Sequence, residues 1–141
     1  MSDTNIPTPR PAPIDGGFGE GFWEGVRAGE LRVQQCDACG LLRHYPQPLC
    51  PECHDGRFHW ERLSGRGTIY SYCVSHRAFH PAWKDHVPYV IATIELDEGV
   101  RMVCDLLGVD PASVQIDARV RAEFAELPGQ GMMPRFVLDE T

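Results

Sequence analysis

Cys36-Asp37-Ala38-Cys39-Gly40, followed shortly by Cys50-Pro51-Glu52-Cys53, restricts what this chain can fold into more than any other stretch. Two Cys-x-x-Cys pairs at this separation deliver four thiolates to one tetrahedral ion, each pair forming a tight knuckle. The spacing predicts a zinc ribbon with Cys36, Cys39, Cys50 and Cys53 as ligands and Zn²⁺ as cofactor. The span from Leu31 to Phe58 holds too few apolar residues to bury a core of its own, so closure is expected to come from the metal. A structural zinc site supplies about 10 to 16 kcal/mol of apparent binding free energy at neutral pH, and in so small a module that becomes folding energy. Gly40 follows the second thiolate, where positive φ lets backbone N–H groups point at sulfur, and Pro51 stiffens the other knuckle. Arg32, Arg43 and Arg57 flank the thiolates and are expected to offset part of their negative field. Disulfides or a redox dithiol are the bland alternative. Iron takes similar ligands in a rubredoxin-like site, but zinc is preferred where nothing suggests electron transfer.

With 141 residues the chain has room for one ordinary domain and a small appendage. A net charge of -7 disfavours a role resting on phosphate backbones, so nucleic acid is not an expected partner. Met1 to Pro13 shows no basic region followed by an apolar run, and no stretch approaches the roughly 18 apolar residues of a membrane span. The expectation is a cytoplasmic protein in a reducing compartment, with no membrane partner. There Cys73 and Cys104 stay as thiols, each a small buried hydrophobe on a strand.

Proline alternating with small polar residues (Pro7, Pro9, Pro11, Pro13) predicts a disordered tail over 1–17. Phe18, Phe22, Trp23, Val26 and Leu31 lie close to a helical period and predict an amphipathic helix over 18–31. Its glycines, each costing about 1 kcal/mol against alanine, mean that it needs a surface to lie on. Phe22 and Trp23 then pack on the chain's own ribbon or insert into a partner subunit. The ribbon is expected over 32–57 and a barrel domain over 58–141. Phe58, Trp60 and Leu63 begin a strand, Gly65-Arg66-Gly67 breaks it, and Thr68 to Val74 continues in β-rich residues. Val90 to Leu96 and Val100 to Leu106 form a hairpin around Asp97-Glu98-Gly99. Asp110-Pro111-Ala112-Ser113 reads as a capped helical turn, and Val120 to Phe124 and Pro134 to Leu138 close the chain as strands. Five strands with a helical turn between the third and fourth is the order of an OB barrel, giving a mainly β protein.

Taken in order, the helix, the two knuckles, Gly65-Arg66-Gly67-Thr68-Ile69-Tyr70-Ser71, His76-Arg77-Ala78-Phe79-His80-Pro81, Pro88-Tyr89-Val90-Ile91-Ala92, Leu127-Pro128 and Pro134-Arg135-Phe136 resemble a known family. It is the zinc-ribbon/OB-fold family long catalogued as a domain of unknown function. The resemblance covers roughly Phe22 to Val137. It implies a non-catalytic accessory subunit of acyl-CoA metabolism, hetero-oligomeric with a thiolase-like partner (thiolase, synthase or lipid-transfer-type aldolase) or a hot-dog-fold hydratase, in lipid or steroid side-chain breakdown. The ribbon and helix would dock on the partner while the barrel lies over the acyl-CoA entrance. This chain departs from the pattern at His54 and Asp55, which stand where the family often has glycine directly after the last cysteine.

The loop from Ser75 to Val87 carries Arg77, Phe79, His80, Trp83, Lys84 and His86, a dense mix of cations and aromatics for so acidic a chain. Arg77, Phe79, His80, Trp83 and Lys84 are the candidate substrate-binding residues, cations for CoA phosphates and aromatics for adenine or pantetheine. The bland reading is a surface loop with Trp83 folded over the barrel's end. His76, His80 and His86 fit no common metal-ligand spacing, and His44 and His54 are not needed beside four cysteines. No nucleophile signature such as Gly-x-Ser-x-Gly is present. A nucleic-acid-binding OB protein and a stand-alone CoA-thioester enzyme stand as the alternatives.

Overall fold

The computed structural model describes residues 10–13, 17–106, 108–127 and 129–139. The disordered tail expected over 1–17 therefore falls largely outside the described residues, as does Pro128 of the Leu127-Pro128 pair. The helix α1 is Glu20–Arg27, entered through a single 3-10 turn at Gly17–Gly19. It is shorter than its apolar spacing predicts: Gly29 takes φ 76° and turns the chain, so Leu31 opens a strand instead of ending the helix. Its glycines are contact points. Gly21 lies against the Trp60 indole so closely that a Cβ there would collide with the ring, and Gly25 sits under Arg32. The loss of helix propensity is offset by the close approach.

The strands β1 (Leu31–Cys36), β2 (Leu42–Arg43) and β3 (Phe58–Leu63) form an antiparallel sheet in the order β2-β1-β3. β1 and β3 pair along their full length, from Leu31 opposite Leu63 to Cys36 opposite Phe58. Phe58–Leu63 is a strand, as its residues predict, but it completes the ribbon sheet. Gly65, at φ 76°, then turns the chain into the next strand. The ribbon is also less dependent on metal than its composition suggests, because Leu31 and Val33 are buried with Phe22, Val26 and Leu63.

The second sheet contains β4 (Arg66–Ser75), β5 (Tyr89–Leu96), β6 (Arg101–Asp105), β7 (Arg119–Leu127) and β8 (Gly131–Leu138) in the order β6-β5-β4-β7-β8. β5 alternates strictly, with Val90, Ala92, Ile94 and Leu96 inward, and meets Ile69, Met102, Leu106, Val120 and Phe136 in the core. β4 curls between two partners: Gly67 is opposite Leu96 of β5 and Val120 of β7, and a bulge at Tyr70 shifts the register. The predicted helical turn is present at Pro111–Ser113, where the Asp110 carboxylate accepts from the Ala112 N–H at 3.0 Å. This is a five-stranded, nearly closed OB barrel. Among the described residues no ladder joins β6 to β8. Pro134 faces that seam without an N–H to donate, and the Cys104 thiol donates to its carbonyl at 3.6 Å.

Two expectations about cysteines change here. Cys73 is exposed, because past the bulge β4 runs free of the core from Tyr70 to Cys73, and Cys104 is only half-buried, at the seam. None of the described helices is long and apolar enough to cross a membrane.

Candidate functional site

The two knuckles bring four sulfurs together: the Sγ atoms of Cys36, Cys39, Cys50 and Cys53 all lie within 4.8 Å of one another. Cys36 and Cys53 are 3.5 Å apart and Cys39 and Cys50 3.6 Å apart, far longer than a disulfide bond of about 2.05 Å. They match the edge of about 3.8 Å that a tetrahedron with Zn–S bonds of about 2.3 Å requires. The turns that set this spacing repeat. Gly40 at φ 77° donates to the Cys36 carbonyl and His54 at φ 63° to the Cys50 carbonyl, both at 2.9 Å. His54 thus adopts the left-handed conformation that glycine usually supplies, so the departure noted in sequence leaves the knuckle intact.

Backbone N–H groups point at the sulfurs. Those of Cys39 and Ala38 hold the Cys36 thiol below its ordinary range, and those of Cys53 and Glu52 bring Cys50 down to about 6. At Cys53 the Asp55 N–H pulls the same way, but the crowded Cys36, Cys39 and Cys50 sulfurs and burial outweigh it and push that thiol up to about 12. Four thiolates cannot ionise together here without a cation between them, which is the chemistry a divalent ion supplies.

The three flanking arginines divide. Arg32 pairs with Glu30 at 2.8 Å and Arg57 with Asp55 at 2.9 Å, leaving Arg43 as the cation without a carboxylate among the described residues. Arg43 is 5% exposed. Its Nε donates to Gln34 Oε1 at 2.7 Å, and its guanidinium reaches across β1 to 5.4 Å from the Phe58 ring, opposite Cys36. Replacing Arg43 by Met is expected to weaken zinc binding about tenfold, read by competition with a chromophoric chelator. An unchanged affinity would show that the thiolates need no buried counter-charge.

Beside the ribbon, α1, the 44–46 loop and the seam strands enclose an apolar cleft of about 360 Å³ lined by Phe22, Trp23, His44, Tyr45, Met102 and Val103 among others. Phe22 is buried, with ring contacts to Trp23 (5.1 Å) and His44 (5.2 Å), while Trp23 is half-buried. Tyr45, 54% exposed, accepts the Val103 N–H at 3.1 Å and so caps the open edge of β6. Burial drives His44 down to about 4. A lowered histidine pKa means that the unfolded chain binds the extra proton, so stability is complete above about pH 6.5 and falls by up to about 3 kcal/mol as pH drops through 4. The His44→Phe variant, measured by denaturant unfolding of the zinc-loaded chain, should lose that part of the slope.

The candidate loop residues do not act as one cluster. Arg77 lies over Phe79, which is 80% exposed, and Lys84 is exposed. His80 caps the 3-10 turn Pro81–Trp83 by accepting from the Ala82 N–H at 3.1 Å. Trp83 lines a chamber of about 180 Å³ shared with Arg10, Asp105, Gln130 and Arg135. Arg10 stacks on its ring at 4.8 Å. Sequence reasoning passed over Asp105, Gln130 and Arg135 as site residues; the signal for them was Pro134, which lies within β8 beside them and has no N–H to donate. Burial raises the Asp105 carboxyl pKa against the pull of Arg10 and Arg135. Among the described residues the cysteine quartet is the one group close enough to hold an ion, so His76, His80 and His86 form no second site.

A four-sulfur ribbon joined to a nearly closed five-stranded barrel defines the class, a zinc-ribbon/OB-fold protein. Residues 23–59 match the family model described as the ChsH2 rubredoxin-like zinc ribbon domain, and residues 60–125 match that of the ChsH2 C-terminal OB-fold domain. A DUF35 domain-containing scaffold protein of Methanothermobacter thermautotrophicus is 34% identical over 72% of this chain and 76% of its own length. The chain belongs to this ChsH2/DUF35 family. It is also 45% identical, over 76% of its length, to the 3-oxo-4,17-pregnadiene-20-carboxyl-CoA hydratase alpha subunit of Mycobacterium tuberculosis. A probable enoyl-CoA hydratase alpha subunit of Thermomonospora curvata is 40% identical over 82% of the chain. The chain spans about a third of the length of these two subunits (33% and 36%). Among solved structures, the Ltp2-ChsH2(DUF35) aldolase superposes with a TM-score of 0.80 at 34% identity, covering 89% of this chain and 98% of that one. A DUF35 protein from Sulfolobus solfataricus shares the fold, with a TM-score of 0.60 at 18% identity.

Proposed function

We propose that this chain is a non-catalytic, cytoplasmic accessory subunit that docks on a thiolase-like partner of the aldolase kind and helps hold its acyl-CoA, in lipid or steroid side-chain metabolism. The observation that carries the reading is the likeness to nearly the whole of the ChsH2 chain in a structure named for its aldolase partner. The hydratase names of two relatives support a hydratase as the other partner class, which the family resemblance implies is of the hot-dog fold. Within this reading Cys36, Cys39, Cys50 and Cys53 hold zinc and stiffen the docking face. That face comprises the exposed Phe18 and Tyr45 with half-buried Trp23, and Phe22 supports it from beneath. Arg77 and Lys84 take CoA phosphates, Phe79 offers a stacking face, and Trp83, positioned by the His80 cap, lines the way in. The non-catalytic part is supported by relatives named as DUF35 domain-containing scaffold proteins.

The test is co-expression with a thiolase-like aldolase and, separately, with a hot-dog hydratase, followed by light scattering at micromolar concentration. A stable hetero-oligomer with one of them is expected, weakened about thirtyfold or more by the pair Phe18→Asp and Tyr45→Asp. A chain that stays alone with both, or that turns over an acyl-CoA by itself, would contradict the reading.

A further inference from the structure

Two of the residues that line the chamber beside Trp83, Gln130 and Arg135, each hold a buried polar atom without a partner, Gln130 Oε1 and Arg135 Nε. One is an acceptor and the other a donor. Arg135 uses its Nη2 on Glu123 at 3.3 Å, so Nε is left pointing elsewhere. Gln130 sits in the turn between β7 and β8 and spends its Nε2 on the Pro11 carbonyl at 2.8 Å. That contact fixes which end of the side-chain amide is which and shows what occupies the chamber's mouth: the segment 10–13, held by one carbonyl and by Arg10 on Trp83. Pro11 brings a carbonyl to Gln130, but its own nitrogen carries no hydrogen. Half of the Gln130 amide therefore stays unanswered by this occupant. Leaving a buried polar atom unpaired is costly, so an occupant that pairs both ends has an advantage over the segment now present.

A secondary amide offers one N–H and one C=O, the complement of Gln130 Oε1 and Arg135 Nε. What lies next to the chamber decides what the amide is attached to. Asp105, Met133 and Pro134 line both the chamber and the apolar cleft of about 360 Å³, so the two form neighbouring compartments along the unpaired barrel seam. The larger compartment is walled by rings and aliphatic side chains. A peptide would carry further amides into it about every 3.8 Å of chain, with few side-chain groups besides His44 Nδ1 and Asp105 there to receive them. An amide tethered to a long apolar group meets no such cost.

We propose that the seam chamber recognises a secondary amide borne on an apolar chain, as in an acyl-pantetheine, and that Arg10–Pro13 is a strap displaced when it binds. The source of such a chain rests on the acyl-CoA reading above. The recognition is a property of this chain alone and can fail while partner docking stands. Gln130 and Arg135 are the residues that read the amide, and Trp83 is the wall that Arg10 gives up.

The test uses the zinc-loaded full chain, titrated by calorimetry and followed by ¹⁵N NMR. The probes are S-butyryl-pantetheine, an amide-free ethylene-glycol thioester of matched length, and an N-acetylated alanine tripeptide amide. Saturable binding of the pantetheine probe is expected, about tenfold tighter than the amide-free one, with the Trp83 indole N–H and Gln130 side-chain signals moving. Gln130→Met should erase that tenfold difference; because it also removes the donor that holds Pro11, it should tighten the amide-free probe as the strap deletion does. Deleting residues 1–13 should tighten pantetheine binding several-fold by removing the competing strap. Equal binding of the matched probes, no saturable shift at Trp83 up to millimolar probe, or a difference that survives in Gln130→Met overturns the amide site. Preferred binding of the tripeptide overturns the ligand class, and unchanged or weaker binding after the deletion overturns the strap. A Gln130 variant that loses its folded NMR spectrum is replaced by Gln130→Glu, which keeps an acceptor but loses the donor that holds Pro11, and should act like the strap deletion.

Discussion

Chelating the metal, or replacing Cys36 and Cys53 together by serine, unravels residues 36–57 while the barrel keeps its native signals. Apart from the contacts of Arg43, His44 and Tyr45 the affected segment is held by little else: β2 is two residues long, and the stretch between the knuckles contributes Cys50 and Arg43 as its buried side chains. Zinc at a four-thiolate site contributes about 10 kcal/mol or more, well above what such a stretch recovers by burial. The barrel has its own core around Ile94, Val120 and Phe136, so its amide resonances should persist in the metal-free chain. α1 and β1 should loosen without being lost, because Val26, Leu31, Val33 and Leu63 still bury one another. Unchanged resonances over 36–57 after quantitative metal removal would show that the knuckles are self-supporting.

Gly67→Val carries the second largest effect, in the opposite module. Gly67 pairs with strands on both sides, and a Cβ there would run into the Glu95 carbonyl oxygen, with the Glu95 carbonyl carbon and Leu96 Cα each 3.0 Å away. All three are backbone atoms of the neighbouring strand, so no rotamer change relieves the clash and β4 must part from β5. The expected loss is about 3 kcal/mol or more, on the order of 10 °C in Tm. Gly56→Ala is the control. Its Cβ would meet nothing nearer than 3.6 Å, at ordinary φ, and stability should change by no more than about 0.5 kcal/mol. Thermal unfolding of the two variants, zinc-loaded, gives the comparison.

Sequence carried the metal quartet because cysteine spacing is itself geometry: four sulfurs at two fixed short intervals leave few other arrangements. It carried the barrel strands for a related reason, since β5 alternates without a break and Asp110-Pro111 announces its turn. The allegiance of Phe58–Leu63 was not legible. A strand's residues state that it pairs, and its partner β1 hid in Leu31–Cys36, where apolar residues read as the end of a helix and the start of a knuckle. Helical glycines misled in the same way: Gly21 looks like a penalty until Trp60 is seen against it. The seam clefts were invisible because they assemble residues from seven separate segments, with Pro134 as the single local sign that β8 could not zip onto β6.

Docking and metal binding can be read together in one experiment. Apo chain is mixed at micromolar concentration with the thiolase-like partner that binds it, zinc is titrated in, and complex mass is followed by light scattering alongside elemental analysis. If the four-thiolate ribbon shapes the docking face, the complex appears in step with zinc and saturates at one ion per chain. A complex that forms fully before any zinc is added, or that stays absent at full occupancy, contradicts the account.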